Sequence, residues 1–107
     1  MSLSAKEIAF ATELFSGLGD ISTRKMMGGL CIYHAGTIFA MAHPERGILI
    51  KGAGDFIPIL KATECTQWTY TRDSGKSAAM PYWTLPDAAQ DHPEAACEWA
   101  RNALTHL

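Results

Sequence analysis

From Leu30 to Lys51 three apolar runs of strand length follow one another with almost no chain between them. Leu30–Tyr33 and Thr37–Ala42 are separated only by His34-Ala35-Gly36, and Ile48–Lys51 comes just after His43-Pro44-Glu45-Arg46-Gly47. Parallel neighbours need a crossover of roughly a dozen residues or more, so these runs can pair only as an antiparallel meander. Gly36 stands where a tight hairpin needs a positive φ. The runs are apolar on both faces: Leu30 and Ile32 alternate with Cys31 and Tyr33, and Ile38 and Ala40 with Phe39 and Met41. Strands of this kind are covered on both sides.

The flanking chain supplies one cover. Ser4-Ala5-Lys6-Glu7 is a capping box. Behind it Ile8, Ala11, Leu14, Phe15 and Leu18 recur at helical spacing, which predicts a helix over about 5–18, stopped by Gly17 and Gly19. Ile21–Met27 mixes β-branched and basic residues up to Gly28-Gly29 and reads as a further strand. Asp55 is the expected cap of a short helix over 56–62, with Pro58 tolerated in its first turn. Gln67–Arg72 alternates, with Trp68, Tyr70 and Arg72 on one face; Asp73-Ser74-Gly75 is a hairpin loop, and Lys76–Thr84 returns. Pro81 cannot donate to a ladder, so its strand lies at an edge or is bulged there. A turn of helix follows at Pro86-Asp87. The last helix opens at Pro93 and carries Ala96, Trp99, Ala100, Ala103, Leu104 and Leu107 as its apolar stripe.

The order reads α-β-β-β-α-β-β-α, with the strand near Ile21 as a sixth. The expected architecture is a two-layer α+β domain over residues 1–107, an antiparallel sheet of five to six strands with helices packed on one face. Met1-Ser2-Leu3 has the look of an expression scar and carries no weight. Three modest helices leave the other apolar face of the sheet open, and a homodimer or a partner protein is expected to cover it.

The 107 residues, 48% hydrophobic and 19% charged, exclude a disordered tail, a collagen-like repeat and a coiled coil. No apolar run approaches the roughly 18–20 residues that cross a bilayer, and no charged-then-apolar leader opens the chain. A cytoplasmic protein without membrane contact is expected. Cys31, Cys65 and Cys97 are odd in number and far apart, which argues against a disulfide framework or a closed zinc site. They read as packing residues. His34, His43, His92 and His106 share no ligand spacing. Gly28-Gly29 is followed by strand, not by the helix a phosphate loop requires, and a bulge or a close backbone approach explains the pair better. No catalytic residue, cofactor or metal is assigned.

Two features point instead to a surface. The formal net charge is −2, yet residues 20–80 hold seven basic and five acidic side chains, among them Arg24, Lys25, Lys51, Arg72 and Lys76. The net charge argues against nucleic acid as a sole partner, while the sheet region is mildly basic. Trp68, Tyr70, Tyr82 and Trp83 lie on one hairpin, where aromatic pairs either stabilise the sheet or, if exposed, form an interaction surface.

Arg24-Lys25-Met26-Met27-Gly28-Gly29-Leu30-Cys31-Ile32-Tyr33 resembles the R-x-M-F-G-G-x-G-[IV]-Y signature of the TfoX (Sxy) N-terminal domain family. Gly36-Thr37-Ile38-Phe39-Ala40, Ile48-Leu49-Ile50-Lys51, Trp68-Thr69-Tyr70, Met80-Pro81-Tyr82-Trp83-Thr84-Leu85-Pro86 and Trp99-Ala100 agree in order and spacing. Met27 stands for the usual Phe and Cys31 for the usual Gly. The resemblance implies a fold like that of type III secretion chaperones, without catalytic residues or cofactor. It also implies a bacterial regulator of competence for DNA uptake that acts with the cyclic-AMP receptor protein at promoters. Full-length members carry a second, helical domain, which these 107 residues are expected to lack.

The expected function is a non-catalytic regulatory module working through protein contacts, with Arg24, Lys25, Met27, Tyr33, Trp68, Tyr70, Arg72, Tyr82 and Trp83 as the candidate surface. The alternatives are direct DNA binding through the basic sheet residues, and a small ligand-binding domain or enzyme using His34, His43 or Cys31.

Overall fold

The meander forms in chain order. In a computed structural model that describes residues 3–26, 28–63, 65–71 and 74–107, β1 (Ile21–Met26), β2 (Gly29–His34), β3 (Thr37–His43) and β4 (Gly47–Lys51) are successive antiparallel neighbours. The hairpin of β5 (Gln67–Thr71) and β6 (Ser77–Thr84) joins through β6, giving the sheet order β1-β2-β3-β4-β6-β5. The fold is α+β, an antiparallel sheet of six strands with its helices on one face.

Proline placement decides a point the sequence left open. β6 is an interior strand, so Pro81 sits at an irregularity: Gln67 is paired with Trp83, but Thr69 with Ala79. The extra length on β6 is a bulge, and the β4 ladder ends at Lys51 opposite Tyr82, so proline stands where neither neighbour requires an N–H. The carbonyls of the bulge find other donors. Gln67 Nε2 donates to the Met80 carbonyl at 3.0 Å, and the Gly52 N–H to that of Pro81, also at 3.0 Å.

α1 (Ala5–Leu14) starts at the expected capping box, with Glu7 N–H donating to Ser4 Oγ at 3.2 Å and Ser4 N–H to Glu7 Oε1 at 3.1 Å. It ends four residues earlier than its apolar spacing predicts. The chain tightens into a 3-10 turn over Ser16–Leu18, a common way for a helix to close its last carbonyls. α2 (Phe56–Ala62) forms, but Asp55 does not cap it with its carboxylate. Asp55 has helical backbone angles, φ −70° and ψ −8°, and not the extended geometry from which a side chain reaches back to the helix N–H groups. A short α3 (Asp87–Gln90) precedes α4 (Pro93–Leu104), where Pro93 takes the first helical position and His92 Nδ1 accepts from the Ala95 N–H at 3.4 Å.

The core is two-sided. On the helix face, Leu30, Ile32, Phe39, Ala40, Ile48, Ile50 and Trp83 pack against Leu14, Phe15, Phe56, Leu60 and Ala100. A bulge in β3 makes this possible: Ile32 pairs with Ala40 but Tyr33 with Ile38, so Phe39 is the additional residue and joins Ala40 on the helix side. There it meets Phe15 edge-to-face, ring centroids 5.1 Å apart. On the opposite face Cys31, Met41, Leu49 and Tyr82 form a second buried cluster, ringed by the half-buried Tyr33, Ile38, Trp68 and Met80.

Candidate functional site

The second face was expected to need a subunit or partner to cover it. Its centre is buried by the chain itself: Cys31, Met41, Leu49 and Tyr82 are each at most 6% exposed. The cover is the β5–β6 hairpin. In a flat sheet β5 lies three strand spacings from β3, roughly 14 Å. The Trp68 ring nevertheless lies 5.3 Å from that of His43 and 5.9 Å from the Arg46 guanidinium. Arg46 also approaches the Thr69 carbonyl, at 3.5 Å. Beyond the bulge at Pro81 the hairpin therefore curls over the sheet and closes its second face. What this face leaves open is its rim of half-buried side chains.

Residue by residue, the candidate surface divides. Trp83 and Tyr82 are sequence neighbours on opposite faces. Trp83 is 3% exposed in the helix-side core and is not a surface residue, because β6 alternates across a sheet apolar on both sides. Tyr82 belongs to the second cluster, also buried. Its phenol is pushed up to about 12 by burial first, then by the neighbouring Cys31 and Tyr33. Trp68 and Tyr33 are half-buried on the rim. Arg24 is exposed, opposite Cys31 on the second face, whereas Lys25 is exposed opposite Leu30 on the helix face. Tyr70 lies in β5. Met27 and Arg72 lie outside the described residues. The structure thus brings Arg24 and Tyr33 together at one end of the second face, and Trp68 with Arg46 and His43 at the other.

Sequence reading missed Arg46, which packs on Trp68, and Ser22, which is paired with Tyr33 beside Arg24. Arg46 gave no signal as a turn residue. Ser22 follows from the register of the β1–β2 hairpin: counting back from Gly28-Gly29 puts Ser22, Arg24, Cys31 and Tyr33 on one face.

The residues of the enzyme alternative stand in structural roles. His34 Nδ1–H donates to the Gly19 carbonyl at 2.7 Å, which ties the end of β2 to the turn before β1. His43 Nδ1 accepts from the Glu45 N–H at 3.1 Å while its ring rests on Trp68. The Cys31 thiol is raised by burial, against a smaller opposing pull from Arg24, and so is held protonated. Among the described residues no three His, Cys, Asp or Glu side chains converge as a metal site. No helix is long and apolar enough to cross a membrane among them.

The signature glycines have a backbone reason. A Cβ on Gly29 would lie 2.8 Å from the carbonyl oxygen of Ala42, so β2 and β3 run too close there for any side chain. Gly28 has φ 80°. The most recognisable stretch of the sequence therefore specifies a tight strand exchange, not a ligand cradle.

No curated protein matches the chain. A family model described as the TfoX N-terminal domain matches residues 13–107, a stretch that takes in all six strands and the last three helices. The chain belongs to the TfoX N-terminal domain family.

Proposed function

We propose that the protein is a non-catalytic regulatory module that acts by protein contact, in the control of competence or of transcription. One observation carries the contact reading. The second sheet face closes on itself but leaves a rim of half-buried aromatic and apolar groups, Tyr33, Ile38, Trp68 and Met80, interleaved with the exposed cations Arg24 and Arg46. Aromatic residues and arginine held in place by packing are the usual anchors of protein interfaces. Family membership supports the regulatory part, and a transcription regulator such as the cyclic-AMP receptor protein is the partner it suggests. Deleting the gene is expected to change DNA uptake or a defined set of transcripts, with recovery by the wild-type allele but not by Tyr33→Ala/Trp68→Ala. Unchanged uptake and an unchanged transcriptome would sink the proposal.

Direct DNA binding is the second reading, because Arg24, Arg46 and Lys51 border the same face. Lys51 is opposite Tyr82, on the cluster side. Neutralising even a few phosphates makes affinity fall steeply with salt. A gel shift without salt-dependent retardation at about micromolar protein, where non-specific binders already register, excludes it.

A further inference from the structure

We propose that β1 is a docking edge. It takes an extended segment of a partner protein as an added strand, with an acidic side chain of that segment seated against Arg24. The proposal rests on the protein-contact reading and specifies where contact is made and by what chemistry.

β1 is the outermost strand of the sheet, and Ser22, Thr23, Arg24, Lys25 and Met26 are all exposed. In an antiparallel pair every second residue turns its N–H and C=O away from its neighbour, so the outer side of β1 is a row of backbone groups open to another chain. The other edge is differently placed. β5 curls back over the sheet, and its Thr69 carbonyl is already met by Arg46.

Beside the open edge lies a hollow of about 300 Å³, lined by Ser22, Thr23, Arg24, Tyr33 and Gly36. Ser22 and Arg24 are two apart on β1 and so share a face, and Tyr33 is opposite Ser22. An added strand directs alternate side chains to that same face. Backbone pairing then supplies affinity and the hollow supplies selectivity, the division of labour seen when peptides extend sheets.

Charge selects the occupant. β1 carries two cations, Arg24 on one face and Lys25 on the other, and no anion. Carboxylates on the incoming strand would meet a guanidinium flanked by the Ser22 hydroxyl and the Tyr33 ring. A second copy of this chain is a poor occupant. Two β1 strands laid antiparallel about a two-fold axis keep Arg24 of both copies on one face, directly opposite each other when the axis passes at Arg24 and diagonal at roughly 7–8 Å when it passes at Thr23 or Lys25, like charges in each case.

The test uses the full chain and an end-blocked peptide of alternating valine and threonine with one central glutamate. Controls are the same peptide with lysine at that place, and the glutamate peptide with alternate backbone nitrogens methylated. Binding is read by fluorescence anisotropy and by amide NMR shifts. The glutamate peptide should bind with shifts confined to β1 and β2, and roughly tenfold tighter than the lysine peptide, as expected for one charge-assisted hydrogen bond. Arg24→Glu, at an exposed position, should reverse that preference, and methylation should abolish binding. Any of the following overturns the proposal: no binding at about 1 mM, the weak end of measurable affinity; no charge preference; shifts on β5 instead; or a β1-dependent dimer in sedimentation. In the deletion strain, complementation by Arg24→Glu but not by Tyr33→Ala/Trp68→Ala removes the edge and leaves the general contact reading standing.

Discussion

The side chain of Gln90 pairs with the backbone of Ile48 in both directions: Oε1 accepts from the Ile48 N–H and Nε2 donates to the Ile48 carbonyl, each at 3.2 Å. Nε2 also donates to the Leu85 carbonyl at 3.0 Å. β6 has ended by this point, and although the Ile48 carbonyl also accepts from the Leu85 N–H at 3.1 Å, the Ile48 N–H at this partly buried site is met by Gln90. A side-chain amide replaces a peptide, and α3 is thereby fastened to the sheet. Gln90→Ala is expected to cost about 1–3 kcal/mol, the penalty for orphaned buried groups. Gln90→Glu should also destabilise, because a carboxylate can accept from Ile48 N–H but cannot donate to either carbonyl. Urea denaturation of the three proteins checks both.

The β2–β3 turn holds Ala35 at φ 49° and Gly36 at φ 84°. Both central residues are in the left-handed region, the pattern that two-residue hairpins prefer to build from Asn-Gly. Alanine there is strained by roughly 1–2 kcal/mol. Ala35→Asn is expected to stabilise the protein by about 0.5–1 kcal/mol, since asparagine tolerates this conformation better. A lower melting temperature for the variant would contradict this.

Gly29→Ala should act in the opposite sense. The new methyl would lie 2.8 Å from the Ala42 carbonyl oxygen, and a backbone atom cannot turn aside as a side chain can. A loss of about 1–3 kcal/mol or more is expected, the range of overpacked sites. Thermal denaturation measures it, and a neutral result would mean that β2 and β3 can separate at this point without cost.

The phenol of Tyr82 is raised from its ordinary 10.0 to about 12 by burial, Cys31 and Tyr33. The folded state therefore favours the protonated phenol. Its contribution is fully present below the unfolded value near 10 and is lost as pH rises toward 12. Unfolding free energy should fall more steeply with alkaline pH in wild type than in Tyr82→Phe. Equal slopes for the two proteins, followed by circular dichroism, would remove the phenol as the cause.

Two tryptophans of the same hairpin should separate in experiment. Trp83→Ala empties part of the helix-side core and is expected to cost about 3–5 kcal/mol. Trp68→Ala removes a half-buried ring from the rim, with its contacts to His43 and Arg46, and is expected to weaken partner contact at a smaller stability cost. Comparing denaturation midpoints with partner recovery for both variants tests the division.

Much of this fold was legible because turns and periodicity are local. Ser4 and Glu7 announced α1, Gly36 the β2–β3 turn, and Pro81 a bulge or an edge. The Gly28-Gly29 pair announced a close backbone approach. The limits are equally physical. Which face each member of the adjacent Tyr82-Trp83 pair occupies depends on the register of β6 against β4, and Trp68 meets Arg46 only because the hairpin curls. Neither fact is local. The Gln90–Ile48 pairing spans distant parts of the chain and had no motif to mark it. The Asp55 reading failed because cap identity alone does not set the cap's backbone angles.

The hairpin that curls over the second face also makes the molecule report on itself. Cys31 is sealed beneath that cover, in the cluster that Tyr82 completes from β6. A thiol reagent reaches it only while the cover is lifted. Its modification rate in native buffer, compared with the rate after denaturation, is a stopwatch for that opening. Any ligand that clamps the rim should slow the clock, and any that pries the hairpin away should speed it.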